Sequence, residues 1–547
     1  MLNDARNTVK IYLWTEPERV FVRTVSFDLT VDAWIEGLTP GDYNYDGKLD
    51  VLLMLNRSGV LNAEIYLQAE GNSFDPIPFF LLNATNHPAA LDLNGDMAVD
   101  FIYNTINSQG VEQAVVAEKR SSSYVQKRLS DYAFLSSEVC LQPSDRKLTS
   151  PHSVAFVDLN KDCWADLFLT TEDEAGKVYF EVWLNMRSGT YCIVQAEEAP
   201  EGAGQVSFAD VDRNGVEDLI FPTPGHINVV FNDNQHSNDC RFEAKDITFT
   251  SFKQLEFAAN TNSSTASLAL PLDTGLSFSP GTEEMPLILR PGDLDLDGYP
   301  DFLVPIEDSE GTFCAFYRNI RDGSTRRSFK LDSNSDFDQL KGKRGAYLCS
   351  FFDLDENGIP DILLTHRNST VSTTVSYYNN FLDDAFHLKA LSLDGYGKQK
   401  YSSAYSGPVF MFTVTELDMT PVQIHSTQLP QTAYFSLQTP YCLYGLGRTN
   451  SYVEQFYVNI PSLAHSAKMW TPIIPNSYLI VSPKRAKSPT KQVDIDAWFL
   501  ELFASPTDKI GVVIIGAAFF LLGIGGFVLY RYRKEKEEDR QLVVGFL

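Results

Sequence analysis

One nine-residue pattern organises this chain: oxygen-bearing side chains at positions 1, 3, 5 and 9, recurring six times in a single register. It reads DYNYDGKLD from Asp42 to Asp50, DLNGDMAVD from Asp92 to Asp100, and DLNKDCWAD from Asp158 to Asp166. It continues as DVDRNGVED from Asp210 to Asp218, DLDLDGYPD from Asp293 to Asp301, and DLDENGIPD from Asp353 to Asp361. We call these boxes 1 to 6. Successive boxes start 50, 66, 52, 83 and 60 residues apart, a period that suits one four-stranded propeller blade per box with loops of variable length.

The donor chemistry of the pattern points to a hard divalent cation. Ca²⁺ takes six to eight oxygens in a forgiving geometry, and alternating Asp and Asn on a tight loop aim short side chains at a common centre. The expected ligands are Asp42, Asn44, Asp46 and Asp50, then Asp92, Asn94, Asp96 and Asp100, then Asp158, Asn160, Asp162 and Asp166. In the later boxes they are Asp210, Asp212, Asn214 and Asp218, then Asp293, Asp295, Asp297 and Asp301, then Asp353, Asp355, Asn357 and Asp361. A backbone carbonyl near position 7 adds a further donor, and the Asp at position 9 is expected to close the cage from the start of the next strand. Up to one structural Ca²⁺ per box follows. Glycine at position 4 or 6 lets five of the loops turn sharply, whereas box 3 has Cys163 at position 6 and must turn without it.

An EF-hand loop opens in the same way but needs a bidentate Glu at position 12 and flanking helices. Here position 12 is Leu53, Tyr103, Leu169, Phe221, Val304 or Leu364. Each box instead runs into a short β-prone apolar stretch: VLLML, FIYN, LFLT, LIFP, FLVP and ILLT. Such runs are buried strands. The expectation is therefore an all-β chain, with a propeller over residues 1–390. Long inserts near 104–150 and 232–288 are expected as blade loops, the second rich in Ser, Thr and Asn (NTNSSTAS). Alternating segments such as VFMFTVTEL, TAYFSL and QFYVNI predict a small β-sandwich-like module over 391–483, and a Lys/Arg/Pro-rich stalk over 484–509. Within that stalk, DIDAWFLELF is expected as a linker or as an interfacial turn with Trp498 and Phe499 near a bilayer.

The charge balance agrees with this chemistry. Lys and Arg number 44 against 71 Asp and Glu, a formal net charge of −27, which argues against a nucleic-acid partner. Nineteen of the acidic residues occupy box positions, so much of the acidity is a metal-binding signature. The eight histidines are dispersed, and no catalytic or nucleotide-binding fingerprint is present, so no enzyme activity is expected. The string DTGLS at Asp273 lacks the DxSxS pattern of an inserted metal domain. Seven scattered cysteines fit no zinc spacing and leave disulfide connectivity open.

Ile510 to Tyr530 is 21 residues without a charge, which matches a hydrocarbon core of about 30 Å as a helix. Arg531, Arg533, Lys534 and Lys536 follow, so by the positive-inside rule 531–547 is a cytoplasmic tail and the preceding residues are extracellular. The sequons at Asn56, Asn83, Asn262 and Asn368 all precede the span, as glycosylation requires. Met1 opens on no apolar export signal, so a signal peptide and one further box are expected upstream of it.

The strings VAFVDLNKDCWADLFLT, VSFADVDRNGVEDLIFP and PGDLDLDGYPDFLVP resemble degenerate FG-GAP repeats, the blades of integrin α-subunit propellers. Gln428 to Pro461 and Trp470 to Pro483, followed by one span and a short charged tail, resemble the T-cell immunomodulatory protein family, also called Linkin. The resemblance implies a seven-bladed FG-GAP/VCBS-type propeller, a signal peptide, and a single-pass type I protein of the plasma membrane. It implies an adhesion or receptor-like glycoprotein that binds protein ligands and takes part in tissue integrity and immune modulation. Cytosolic links to tubulin and RuvB-like ATPases are implied too. The alternative is an endomembrane chaperone or trafficking factor of the same topology, and glycan recognition is the least favoured.

Overall fold

Each box is a turn between two antiparallel strands, and its position-9 Asp is the first residue of the second strand. In the computed structural model the partners across that turn are Gly41 with Asp50, Leu91 with Asp100, and Val157 with Asp166. They are Ala209 with Asp218, Gly292 with Asp301, and Phe352 with Asp361 in the later boxes. The structure describes residues 2–3, 5–15, 20–23, 28–69, 73–120, 123–134, 140–224, 226–232, 267–271, 277–278, 286–321, 327–332, 337–368, 371–380, 385–395, 403–417, 419–430, 439–449, 452–462, 466–485, 493–504 and 508–545. Asn262 and most of the 232–288 insert lie outside them, as does the Ser/Thr/Asn-rich string up to its last residue.

Around each box a meander forms from strands consecutive in sequence. The first sheet runs Trp34–Gly41, Asp50–Arg57, Val60–Tyr66 and Phe80–Leu82, and the second Ala89–Leu91, Asp100–Ile106, Glu112–Arg120 and Ser123–Arg128. The third runs Ala155–Val157, Asp166–Glu172, Val178–Asn185 and Tyr191–Glu198, and the fourth Ser207–Ala209, Asp218–Thr223, His226–Val230 and Ser267–Pro271. The fifth runs Arg290–Gly292, Asp301–Asp308, Gly311–Arg321 and Arg327–Leu331. The sixth has three strands among the described residues: Ala346–Phe352, Asp361–Asn368 and Val371–Tyr377. The expected insert over 104–150 is thus largely strand: residues 104–128 complete the second sheet, because EQAVVAEKR and SYVQKR pair as a hairpin.

The apolar runs after the boxes have a structural cause. A strand buried on one face alternates apolar and polar, whereas a strand buried on both faces is continuously apolar. Here sheets 2 to 5 each pack one face on the predecessor and the other on the successor. In the third sheet Phe156, Leu167, Leu169 and Trp183 join a cluster with the second sheet's Leu91, Ile102 and Val116. Their neighbours Ala155, Val157, Phe168 and Val182 join the fourth sheet's Leu219 and Phe221. Equivalent clusters link sheets 1 and 2, 4 and 5, and 5 and 6. The N-terminal strands add a cluster of Val9, Leu29 and Val31 with the first sheet's Leu53 and Tyr66, and Trp14 lies 6.3 Å from Tyr378, just after the sixth sheet.

Residues 386–504 form two four-stranded sheets on a shared core that includes Leu388, Phe410, Phe412, Phe456, Leu479 and Trp498. One sheet orders Cys442–Gly447, Phe386–Ser392, Ser477–Ser482 and Phe499–Ala504; the other orders Pro421–Thr427, Val409–Thr415, Gln455–Asn459 and Ala467–Trp470. This takes residues 493–504 out of the stalk expected over 484–509, of which 486–492 and 505–507 lie outside the described residues. Phe499–Ala504 is a strand and Trp498 is buried in the core, since the alternating segment finds a sheet edge to pair with. A separate unit, Ala504–Leu547, contains the C-terminal helix Asp508–Gly545. Within it, the segment Ile515–Glu538 contains a window long and apolar enough to cross a membrane.

Candidate metal centres

Boxes 1 to 5 share one hydrogen-bond plan, which box 6 follows in part. In boxes 1 to 5 the position-1 carboxylate accepts two backbone N–H groups, from positions 5 and 6. Asp210, for instance, accepts from Asn214 at 2.9 Å and Gly215 at 2.8 Å. The position-5 oxygen accepts the position-7 N–H in all six, as Asn214 does from Val216 at 2.9 Å. Positions 4 and 6 both adopt positive φ throughout, so glycine meets only part of the demand. Box 3 carries Lys161 at 61° and Cys163 at 66°, two side chains in a region that disfavours them.

Position 9 does more than close a cage. In every box one oxygen accepts the position-2 N–H, and the other accepts a backbone N–H where the third strand ends or just beyond it. Asp218 accepts from Val211 at 2.9 Å and Asn232 at 2.7 Å; Asp361 accepts from Leu354 at 3.0 Å and Asn379 at 2.7 Å. In boxes 2, 4, 5 and 6 the residue so held then reaches the preceding box. Asn232 Nδ2 donates to Leu159 O at 2.8 Å, Asn319 Nδ2 to Val211 O at 3.0 Å, and Asn379 Nδ2 to Leu294 O at 2.9 Å. Lys119 Nζ does the same to Tyr43 O at 3.4 Å, and Tyr191 Oη donates to Leu93 O at 2.9 Å. The position-2 carbonyls of boxes 1 to 5 are each tied to the following sheet. Sequence reasoning missed these ties; the Asn at 18 residues after position 9 in boxes 5 and 6 was the available signal.

Folding crowds the carboxylates. Asp210, Asp212 and Asp218 bring oxygens within 4.8 Å of one another in box 4, as do Asp293, Asp295 and Asp297 in box 5. Burial, aided by repulsion from Asp212 and Glu217, pushes Asp210 up to about 8, and burial beside Asp210 and Asp212 raises Asp218 well above the carboxylate range. Burial raises Asp92 and Asp301 to about 8, and Asp50 and Asp361 to about 7. Clustered, desolvated oxygens of this kind fit a divalent cation, whose charge would relieve both penalties. Box 4 fits best, with three carboxylates and the Asn214 side chain.

Other boxes already hold a protein cation. Arg187 lies 3.2 Å from Asp162 in box 3; in box 5 Arg318 pairs with Asp295, and Arg327 lies 3.7 Å from Asp297. Cys163 is disulfide-bonded and so is no thiolate donor, although it stands beside Asp158 and His425. Cys140 and Cys192 form a disulfide, while Cys314, Cys349 and Cys442 are free thiols.

The C-terminal sandwich touches every box. Ser403 Oγ accepts from Asp42 N at 3.3 Å, and Tyr405 Oη donates to Asp92. Thr427 Oγ1 accepts from Asp158 N at 3.0 Å, and His425 Nε2 lies 2.9 Å from Asp158 Oδ2. Arg213 of box 4 pairs with Glu416 at 2.7 Å, and Gly447 N donates to Leu296 O of box 5 at 2.9 Å. At box 6, Tyr441 Oη accepts from Asp353 N at 2.8 Å. The box end of the sheets is therefore a docking surface within the chain. None of these sandwich contacts was singled out from sequence.

Residues 400–503 of this sandwich match the family described as ITFG1, C2 domain. The chain as a whole is 28% identical to the T-cell immunomodulatory protein of Mus musculus, over 98% of its own length and 87% of that protein. It is a homologue of the T-cell immunomodulatory proteins. A Plasmodium yoelii yoelii homologue of these proteins is 27% identical over 99% of this chain and 85% of its own. Protein linkin of Caenorhabditis elegans is 23% identical over 85% of this chain and 76% of its own. The family resemblance drawn from the juxtamembrane strings thus extends over nearly the full length.

Proposed function

We propose that the six sheets and the N-terminal strands close into a calcium-binding β-propeller, held outside the cell by one transmembrane helix, that binds protein ligands in adhesion or immune contact. One observation carries the propeller: every sheet stacks on the next in chain order, tied from box to box, and Trp14 meets Tyr378 where the first and last elements would close the ring. The N-terminal pairings Thr8–Val9 with Leu29–Thr30 and Tyr12–Thr15 with Val20–Arg23 are the proposed contribution to a seventh blade. The names of the relatives favour a cell-surface or immune-related role, and Arg531, Arg533, Lys534 and Lys536 favour a cytoplasmic C-terminus.

Binding rather than catalysis is the activity proposed, since the recognisable carboxylates are engaged in the boxes. Because the sandwich covers the box end, the ligand face is assigned to the opposite end, where the second and third strands turn. Val60, Ile106 and Val111 are exposed there on the first two sheets, and exposed apolar side chains on loops are the anchors such interfaces use. Full-length protein displayed on cells should bind partner cells in calcium, and V60D/I106D should abolish that binding while leaving surface level unchanged. Unimpaired binding by the double variant would remove the assigned face, and a purified protein without metal by elemental analysis would remove the calcium reading.

A further inference from the structure

Box 6 departs from the plan of the other five at its first ligand. In boxes 1 to 5 the position-1 Oδ1 accepts the N–H of position 5, at 3.1, 3.1, 3.2, 2.9 and 3.0 Å in order. In box 6 the Asp353 Oδ1 is buried without a hydrogen-bond partner, and Gly358 N reaches Oδ2 at 3.2 Å. The same Oδ2 accepts from Lys389 Nζ at 2.7 Å. This ammonium is buried, 3% exposed, and is flanked by the rings of Tyr441 and Tyr478, whose centroids lie 4.2 and 4.6 Å away.

Lys389 is no flexible surface chain that happens to reach the box. It sits on Phe386–Ser392, a strand paired on both sides, with Cys442–Gly447 and Ser477–Ser482. The pairing fixes its backbone, and its side chain is buried. Two further sandwich residues seal the loop: Tyr441 Oη accepts from Asp353 N, and a Cβ at Gly358 would overlap the His387 ring. A divalent ion on Asp353 would share its one carboxylate with a fixed, desolvated ammonium, and like charges that close in a buried site repel strongly.

We propose that box 6 is not a calcium site but a socket, in which Lys389 of the C-terminal sandwich takes the place of the ion and locks that module onto the sheets. The inference rests on the calcium reading of the other boxes, and it divides the six look-alike loops into metal-binding and docking members.

The test is a calcium count by elemental analysis on the full chain in detergent, equilibrated in millimolar calcium and desalted. D212N, in box 4, should lower the count by one. D353N and D355N, in box 6, should leave it at the wild-type value, and K389Q should raise it by one as the vacated carboxylate recruits an ion. D355N leaves the Lys389–Asp353 pair in place, so it keeps the test alive if D353N fails to fold. A loss of one ion in D355N or D353N overturns the socket, and a K389Q count equal to wild type overturns the lysine's part in it. If the wild type carries no calcium, the reading of the other boxes falls. In that case one ion gained by K389Q still upholds the socket, and none gained overturns it.

Discussion

Replacing Asp218 by alanine separates the two jobs that position 9 performs. Its carboxylate accepts the Val211 N–H at 2.9 Å and the Asn232 N–H at 2.7 Å, and it is fully buried. Without it, two buried N–H groups lose their acceptor at about 1–3 kcal/mol each, so about 2–6 kcal/mol of stability is at risk. Removing one of three crowded carboxylates relieves repulsion with Asp210 and Asp212, which moves the expected loss toward the lower end of that range. None of this requires metal. Asp212→Ala is the comparison, since it removes a position-3 carboxylate of the same cluster. At free calcium a hundredfold above the dissociation constant, one lost site costs about 2.7 kcal/mol, and in chelator that difference vanishes. Urea unfolding of the full chain in detergent, followed by tryptophan fluorescence in calcium and in EDTA, measures all four values. The expected pattern is a loss in both media for Asp218→Ala and in calcium alone for Asp212→Ala. If Asp218→Ala in EDTA lies within about 1 kcal/mol of wild type, the position-9 staple contributes little and the reasoning is refuted.

Three further outcomes are expected. In chelator the protein should melt at a higher temperature at pH 5.5 than at pH 8: carboxylates held at about 7 to 8, such as Asp50, Asp210 and Asp301, bind protons more tightly folded than unfolded, so the stabilisation is complete in acid and lost as pH rises through those values. Calcium should flatten or invert that trend in scanning calorimetry, and a chelator profile that rises with pH would contradict it. Phe168, fully buried and 5.0 Å from Phe208 on the next sheet, should cost about 3–5 kcal/mol as Phe168→Ala, read by urea midpoint. Mapping of glycopeptides should find a glycan on exposed Asn83 and none on Asn56, whose half-buried amide donates to Glu36 at 3.0 Å and accepts from Gly59 at 2.8 Å.

The sequence by itself determined the local units. A nine-residue loop with Asp and Asn at alternate positions makes its hydrogen bonds within itself, so the pattern alone located all six turns and the strand that follows each. Two-sided burial of those strands was legible as unbroken apolar runs, and the apolar stretch near the C-terminus as a single long helix. The tertiary structure decided what the loops meet. Asp92 finds Tyr405 across 313 positions and Asp158 finds Thr427 across 269, and no local periodicity encodes such partners. Lys389 and Trp498 illustrate the same limit. The first carried no sequence expectation and the second was expected in a linker or near a bilayer, yet both are buried, because the sandwich extends to Ala504 and packs against the boxes. Charge pairing in a buried site depends on which elements close over it, and only the packed chain shows which acidic loops meet a protein cation.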